Sequence, residues 1–159
     1  MEVPPRRRTP QEITVLHKAF HEIKFFKESQ NLLDEISYEK IFQSLTLETY
    51  YPGDKIFHYG DVGRKFYIII QGSVFVLLKA AGITIDDVKG QEEDAGEFLQ
   101  HIRDKLPEVL ASETTSDEVK TNFVERCNPG FWVVKSMIGG DSFGELALRK
   151  ESDGYDVIV

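Results

Sequence analysis

Gly140-Asp141-Ser142-Phe143-Gly144-Glu145-Leu146-Ala147-Leu148 is the stretch on which the reading of this chain turns. A strand-like run, Phe131 to Ile138, enters it through Gly139-Gly140. The segment from Glu145 to Leu148 has helical composition and reads as the start of a helix, with Asp141 or Ser142 as its N-cap. A glycine beside the first turn of a helix lets a ligand approach the backbone closely. The unpaired N–H groups of that turn then form a seat for an anion. Glu145 sits inside the seat, where a carboxylate repels a phosphate but accepts hydrogen bonds from hydroxyls. Its natural partner is therefore a sugar diol beside the anion, and the stretch reads as a site for a sugar phosphate or nucleotide. The alternative is that Glu145 merely caps the turn.

Working upstream, Tyr51-Pro52-Gly53-Asp54-Lys55-Ile56-Phe57, Gly60-Asp61-Val62-Gly63, Phe66-Tyr67-Ile68-Ile69 and Gln71-Gly72-Ser73-Val74 form a second signature, ahead of Phe143-Gly144-Glu145-Leu146-Ala147-Leu148. Together they resemble the cyclic nucleotide-binding domains of kinase regulatory subunits, gated channels, exchange factors and the bacterial catabolite activator protein. The resemblance covers residues 25–78 and 131–148. It implies a mainly β fold with flanking helices: an antiparallel jelly-roll β-barrel with an N-terminal helical bundle. The expected divisions are a disordered basic tail over 1–8 and a helical subdomain over 9–45. Barrel halves follow over 46–79 and 131–159, separated by an acidic, partly helical insertion over 80–130. Because the chain stops inside a strand-like run, Tyr155 to Val159, the last strands and the lid helix of the family are expected to be missing.

Composition bounds the chemistry. Hydrophobic content of 41% and charged content of 29% are those of an ordinary globular domain. A formal charge of −8 argues against a nucleic-acid partner. Residues 80–130 hold 12 acidic and 5 basic side chains, so most of that charge belongs to the insertion. No apolar run reaches membrane-spanning length, no secretory signal is apparent, and Cys127 has no partner for a disulfide. The expectation is a cytoplasmic protein.

Thr9-Pro10-Gln11-Glu12 is a capping box with proline at the first helical position, and Ile13, Leu16, Phe20 and Ile23 follow as one apolar stripe. Arg6-Arg7-Arg8-Thr9 has the form of a basophilic kinase site, weakened by Pro10. His17 and His21 at i, i+4 find no further ligands for a metal. Phe25-Phe26 and Leu32-Leu33 lead to a second helix, read as capped by Ser37 and carrying Ile41, Phe42 and Leu45. From Leu47 the period becomes that of short strands: Lys55 to Tyr59, Phe66 to Ile70 and Ser73 to Leu78, divided by turn residues. In the insertion, Phe98, Leu99, Ile102 and Leu106 predict a helix ended or kinked by Pro107. Ser116 predicts the cap of another, carrying Val119, Phe123 and Cys127. Both stripes are short, so partial order on the surface is expected.

The resemblance assigns the ribose to Gly144 and Glu145 and the phosphate to the backbone N–H groups of Leu146 and Ala147. Phe143, Val76 and Trp132 are expected to wall the pocket. The family's phosphate arginine should fall at Gly154, which stands between Asp153 and Asp156; Arg149 or Lys150 could replace it only if the loop folds differently. A charge-assisted pair to phosphate is the strongest polar contact such a pocket has, so its absence puts cAMP and cGMP in doubt and favours an uncharged nucleoside. Two functions follow: a regulatory domain that senses a small nucleotide or nucleoside and transmits it through its flanking helices, or a degenerate module that binds a protein partner through residues 80–130. An enzyme is not expected, since Cys127, His101 and His58 have no evident catalytic or metal-binding companions. No metal and no resident cofactor are implied.

Overall fold

Strands from both halves of the chain share one sheet. The computed structural model describes residues 7–29, 34–59, 61, 65–94, 96–144 and 155–158, the last four by backbone alone. Three helices open it: α1 (Pro10–Phe20), α2 (Lys24–Ser29) and α3 (Glu35–Ser44). The capping box at Thr9 forms as the sequence predicts, with Thr9 N–H donating to Glu12 Oε2 at 2.7 Å. Arg8, assigned by sequence to a disordered tail, donates through Nη1 to Phe42 O at 2.7 Å and so belongs to this layer. The cap of α3 is Asp34, whose carboxylate accepts from Ser37 N–H at 2.6 Å, and not Ser37 itself. Ile13, Phe26 and Phe42 are buried together, with the Phe26 and Phe42 rings stacked at 5.0 Å.

The strands are β1 (Lys55–Phe57), β2 (Tyr67–Ile68), β3 (Ser73–Lys79), β4 (Phe131–Ile138), β5 (Ser142–Phe143) and β6 (Tyr155–Ile158). One sheet runs β1-β6-β3-β4 and a second pairs β2 with β5, all antiparallel. The expected halves thus meet through β3 and β4. Among the described residues the sheets do not close into a barrel. They do face one another: Ile69, Val74, Met137 and Phe143 form a buried cluster, and Phe57, Tyr67 and Phe143 pack ring against ring.

The expectation of a partly ordered surface insertion is corrected here. Residues 80–130 form α4 (Ile85–Asp94), α5 (Gly96–Ala111) and α6 (Asp117–Cys127), which cover the other face of β3. Val88, Leu99, Ile102, Leu106, Val124 and Cys127 are buried against Phe75, Leu77 and Phe131. The cause lies in β3. Its unbroken apolar run, Val74 to Leu78, has no polar face to offer solvent, so both sides need cover. Leu77, fully buried, accounts for roughly 1.5–3 kcal/mol of burial by itself. Polar contacts fix the layer as well: Val133 N–H donates to Glu125 Oε1 at 2.9 Å, and Arg103 Nε to Cys127 O at 2.9 Å.

Two details of the stripes differ from expectation. Phe98 and Val119 are exposed, and the buried positions are Leu99, Ile102 and Leu106 on α5 and Val124 and Cys127 on α6. Of the two outcomes expected at Pro107, an end or a kink, the end does not occur: α5 continues to Ala111. The proline ring removes one helical donor, but Leu106 on one side is locked into the core and Leu110 on the other packs against it.

Candidate functional site

The glycine turn is built by β4 running into β5. Gly140 takes φ +95°, a conformation that favours glycine, and its N–H donates to Ile69 O at 2.7 Å. Ile69 N–H returns a bond to Asp141 O at 2.9 Å, so the turn is clamped against the end of β2. Asp141 and Ser142, expected to cap a helix, do otherwise. Ser142 pairs with Ile68 in the β2–β5 ladder. The Asp141 carboxylate accepts from Ile138 N–H at 3.1 Å and closes the turn locally. It also receives Lys24 Nζ of α2 at 2.9 Å. The Lys24 hydrogen bond and the Ile138 N–H hold the Asp141 carboxyl below the ordinary carboxylate range, and the Lys24 ammonium is raised in return.

Phe143, next along, is buried and stacks on Tyr67 with centroids 4.9 Å apart and planes 10° from parallel. Gly144 follows at φ +101°. A Cβ there would lie 2.6 Å from Lys65 O and 3.3 Å from Phe66 Cα, so only glycine fits beneath that backbone. Glu145, Leu146, Ala147 and Gly154, together with the expected cassette helix, lie outside the described residues. Of the expected pocket wall, Phe143 and Val76 come together in the cluster between the sheets. Trp132 does not join them. A bulge between Val76 and Leu77 sets it opposite Leu78 at the far end of the sheet, where it is 59% exposed.

Lys65, whose backbone lies against Gly144, carries a polar group that the sequence reading did not anticipate. Lys65 forms an ion pair with Glu48 Oε1, and the Tyr50 hydroxyl donates to Glu48 Oε2 at 2.6 Å. Lys65 and Tyr50 hold the Glu48 carboxyl below its ordinary range. Burial, reinforced by the Glu48 bond, pushes the Tyr50 phenol well up. Glu48 and Lys65 are 17 positions apart, and Lys24 and Asp141 are 117 apart. Neither pair leaves a local signal in sequence. The aromatic flank of Lys65, by contrast, was visible as Phe66-Tyr67.

Elsewhere, a groove of about 240 Å³ lies between the Pro52-Gly53 turn and α5, bordered by Leu106, Pro107 and Cys127. It belongs to the insertion's side of the sheet. Among the described residues no three His, Cys, Asp or Glu side chains converge as metal ligands, and no helix is long and apolar enough to cross a membrane. His17 makes edge contacts with Tyr38 and Phe42, while His21 pairs with Glu22.

No protein-family model and no curated protein matches the chain. Solved structures do. The regulatory subunit of a cAMP-independent protein kinase A from Trypanosoma cruzi, bound to guanosine, matches with a TM-score of 0.52 and 19% identity, over 93% of this chain and 36% of that one. The corresponding subunit from Trypanosoma brucei matches with a TM-score of 0.53 and 18% identity, over 96% of this chain and 40% of that one. The chain spans well under half the length of either subunit. At this identity the match speaks for architecture alone: the chain shares its fold with part of each of these kinase regulatory subunits.

Proposed function

We propose that the chain is a regulatory module that binds an uncharged nucleoside at its glycine turn, in preference to cAMP or cGMP, and passes the event to α1–α3. The reading takes the two sheets as parts of a jelly-roll barrel completed beyond the described residues. In it, Gly144 and Glu145 hold the ribose hydroxyls, the N–H groups of Leu146 and Ala147 face the ligand's 5′ side, and Phe143 with Val76 forms the floor. The observation that carries it is the likeness, over 93% of the chain, to a regulatory subunit bound to guanosine.

The sequence supports the same choice independently. Where the family has an arginine for the phosphate, this chain has Gly154 near Asp153 and Asp156. Hydrogen bonds to charged groups contribute roughly 1.5–3 kcal/mol, so losing one costs an anionic ligand about ten- to over a hundredfold in affinity. A neutral nucleoside loses nothing by it.

Calorimetry with guanosine, adenosine and their cyclic monophosphates tests the proposal, with a nucleoside expected to bind tightest. Tighter binding of a cyclic nucleotide would refute it. In thermal shift, a nucleoside at a hundredfold its dissociation constant should stabilise by about 2.7 kcal/mol. No shift with any of the four would favour the other reading, a scaffold that meets a protein partner through the acidic helices of residues 80–130.

A further inference from the structure

We propose that the groove between the Pro52-Gly53 turn and α5 is a second ligand site, for a small carboxylate that also carries an O–H or N–H donor. Its volume of about 240 Å³ suits a molecule of a few carbons rather than a drug-sized one. It is separate from the glycine turn and stands or falls without the nucleoside reading. Gly53 brings its walls together. A Cβ there would lie 3.5 Å from Pro107 Cγ and 3.7 Å from Leu106 Cδ2, so the turn runs alongside α5 with no side chain of its own between them.

Asn128, the C-cap of α6, supplies the observation that points to a ligand. It is 4% exposed, and its Nδ2 donates to Val124 O at 2.8 Å, which fixes the amide. Among the described residues its Oδ1 accepts no hydrogen bond. No fully buried side-chain nitrogen or oxygen among them lacks a partner, so Oδ1 lies where solvent reaches it, and Asn128 lines the groove. An amide oxygen held in this way is an acceptor that a ligand O–H or N–H can satisfy. Arg103 stands beside it, because its Nε donates to the carbonyl of the preceding residue, Cys127, at 2.9 Å. A guanidinium has five donors and this bond uses one; a carboxylate is the partner its fork matches best. Asp54 and Lys55 also line the groove and their formal charges cancel, so Arg103 sets its sign. Leu106 and Pro107 give a short apolar tail a surface to cover.

Titrating the full chain with lactate against propionate, and with leucine against isocaproate, tests the assignment, since each pair differs by the donor alone. In at least one pair the acid with the donor is expected to bind about tenfold tighter, as suits one hydrogen bond to a fixed acceptor. In amide NMR spectra the resonances of Gly53 and Asn128 should move with that ligand, and Arg103→Lys should weaken it by about tenfold. No binding by any of the four acids at roughly 10 mM overturns the inference. Equal binding within both pairs overturns it too, because Asn128 would then take no part. The same holds for resonance shifts confined to residues away from the groove, or for unchanged affinity in a folded Arg103→Lys. Should that variant fail to fold, the spectra of the wild type decide.

Discussion

Gly144, expected to admit a ligand, is required by the fold itself. In the sequence its glycine suggests room for a ligand to approach. In the structure the close approach comes from the chain itself, since Lys65 O and Phe66 Cα occupy the space a side chain would need. The φ of +101° adds a second constraint. Gly144→Ala is therefore expected to destabilise the fold by on the order of 1–3 kcal/mol in urea denaturation, with strain at φ and the clash acting together. A loss below about 0.5 kcal/mol would mean that β5 and the Lys65 backbone can part without cost. Trp132, which the resemblance puts in the pocket wall, pairs instead with Leu78 at the far end of the sheet and is 59% exposed.

At the scale of elements, the turn between β4 and β5 is tied to α2 by Lys24 and Asp141, two groups that no periodicity relates. Opposed charge and the Ile138 N–H depress the folded Asp141 carboxyl below its unfolded value. Such a group contributes stability above the unfolded pKa, near 4, and loses it as pH falls through the folded value. Comparing wild type with Asp141→Asn should thus show a stability difference at pH 7 that shrinks below about pH 4 and also falls with added salt. A difference constant from pH 7 to pH 2 would show that the carboxylate's charge is not what matters. The helix starts at Thr9 and Ser116 were legible because a cap is a local hydrogen bond. The end of α5 was not, because Leu106 and Leu110 hold the helix past Pro107 through contacts distant in sequence.

For the whole molecule, the main revision concerns residues 80–130. They carry most of the net negative charge, yet also form one wall of the largest buried cluster among the described residues. Leu106→Ala is expected to cost about 2–5 kcal/mol and to lower a single unfolding transition, because α5 and β3 share that core. Two separated transitions, with only one of them moved, would show the insertion folding apart from the sheet. The run Val74 to Leu78 is apolar at every position, and Val74 and Phe75 are buried on opposite faces of β3. What the run left open was which part of the chain would cover its second face.

The sequence by itself determined where the strands lie, the caps at Thr9 and Ser116, the glycines of the turn and the lack of an arginine at position 154, because each depends on neighbours within a few positions. Only the tertiary structure decided that three helices lie on the sheet, that Trp132 is exposed, and that Glu48 pairs with Lys65 and Asp141 with Lys24. Those outcomes depend on which distant surfaces meet, and ion pairs or buried faces formed across the fold carry no periodic mark along the chain.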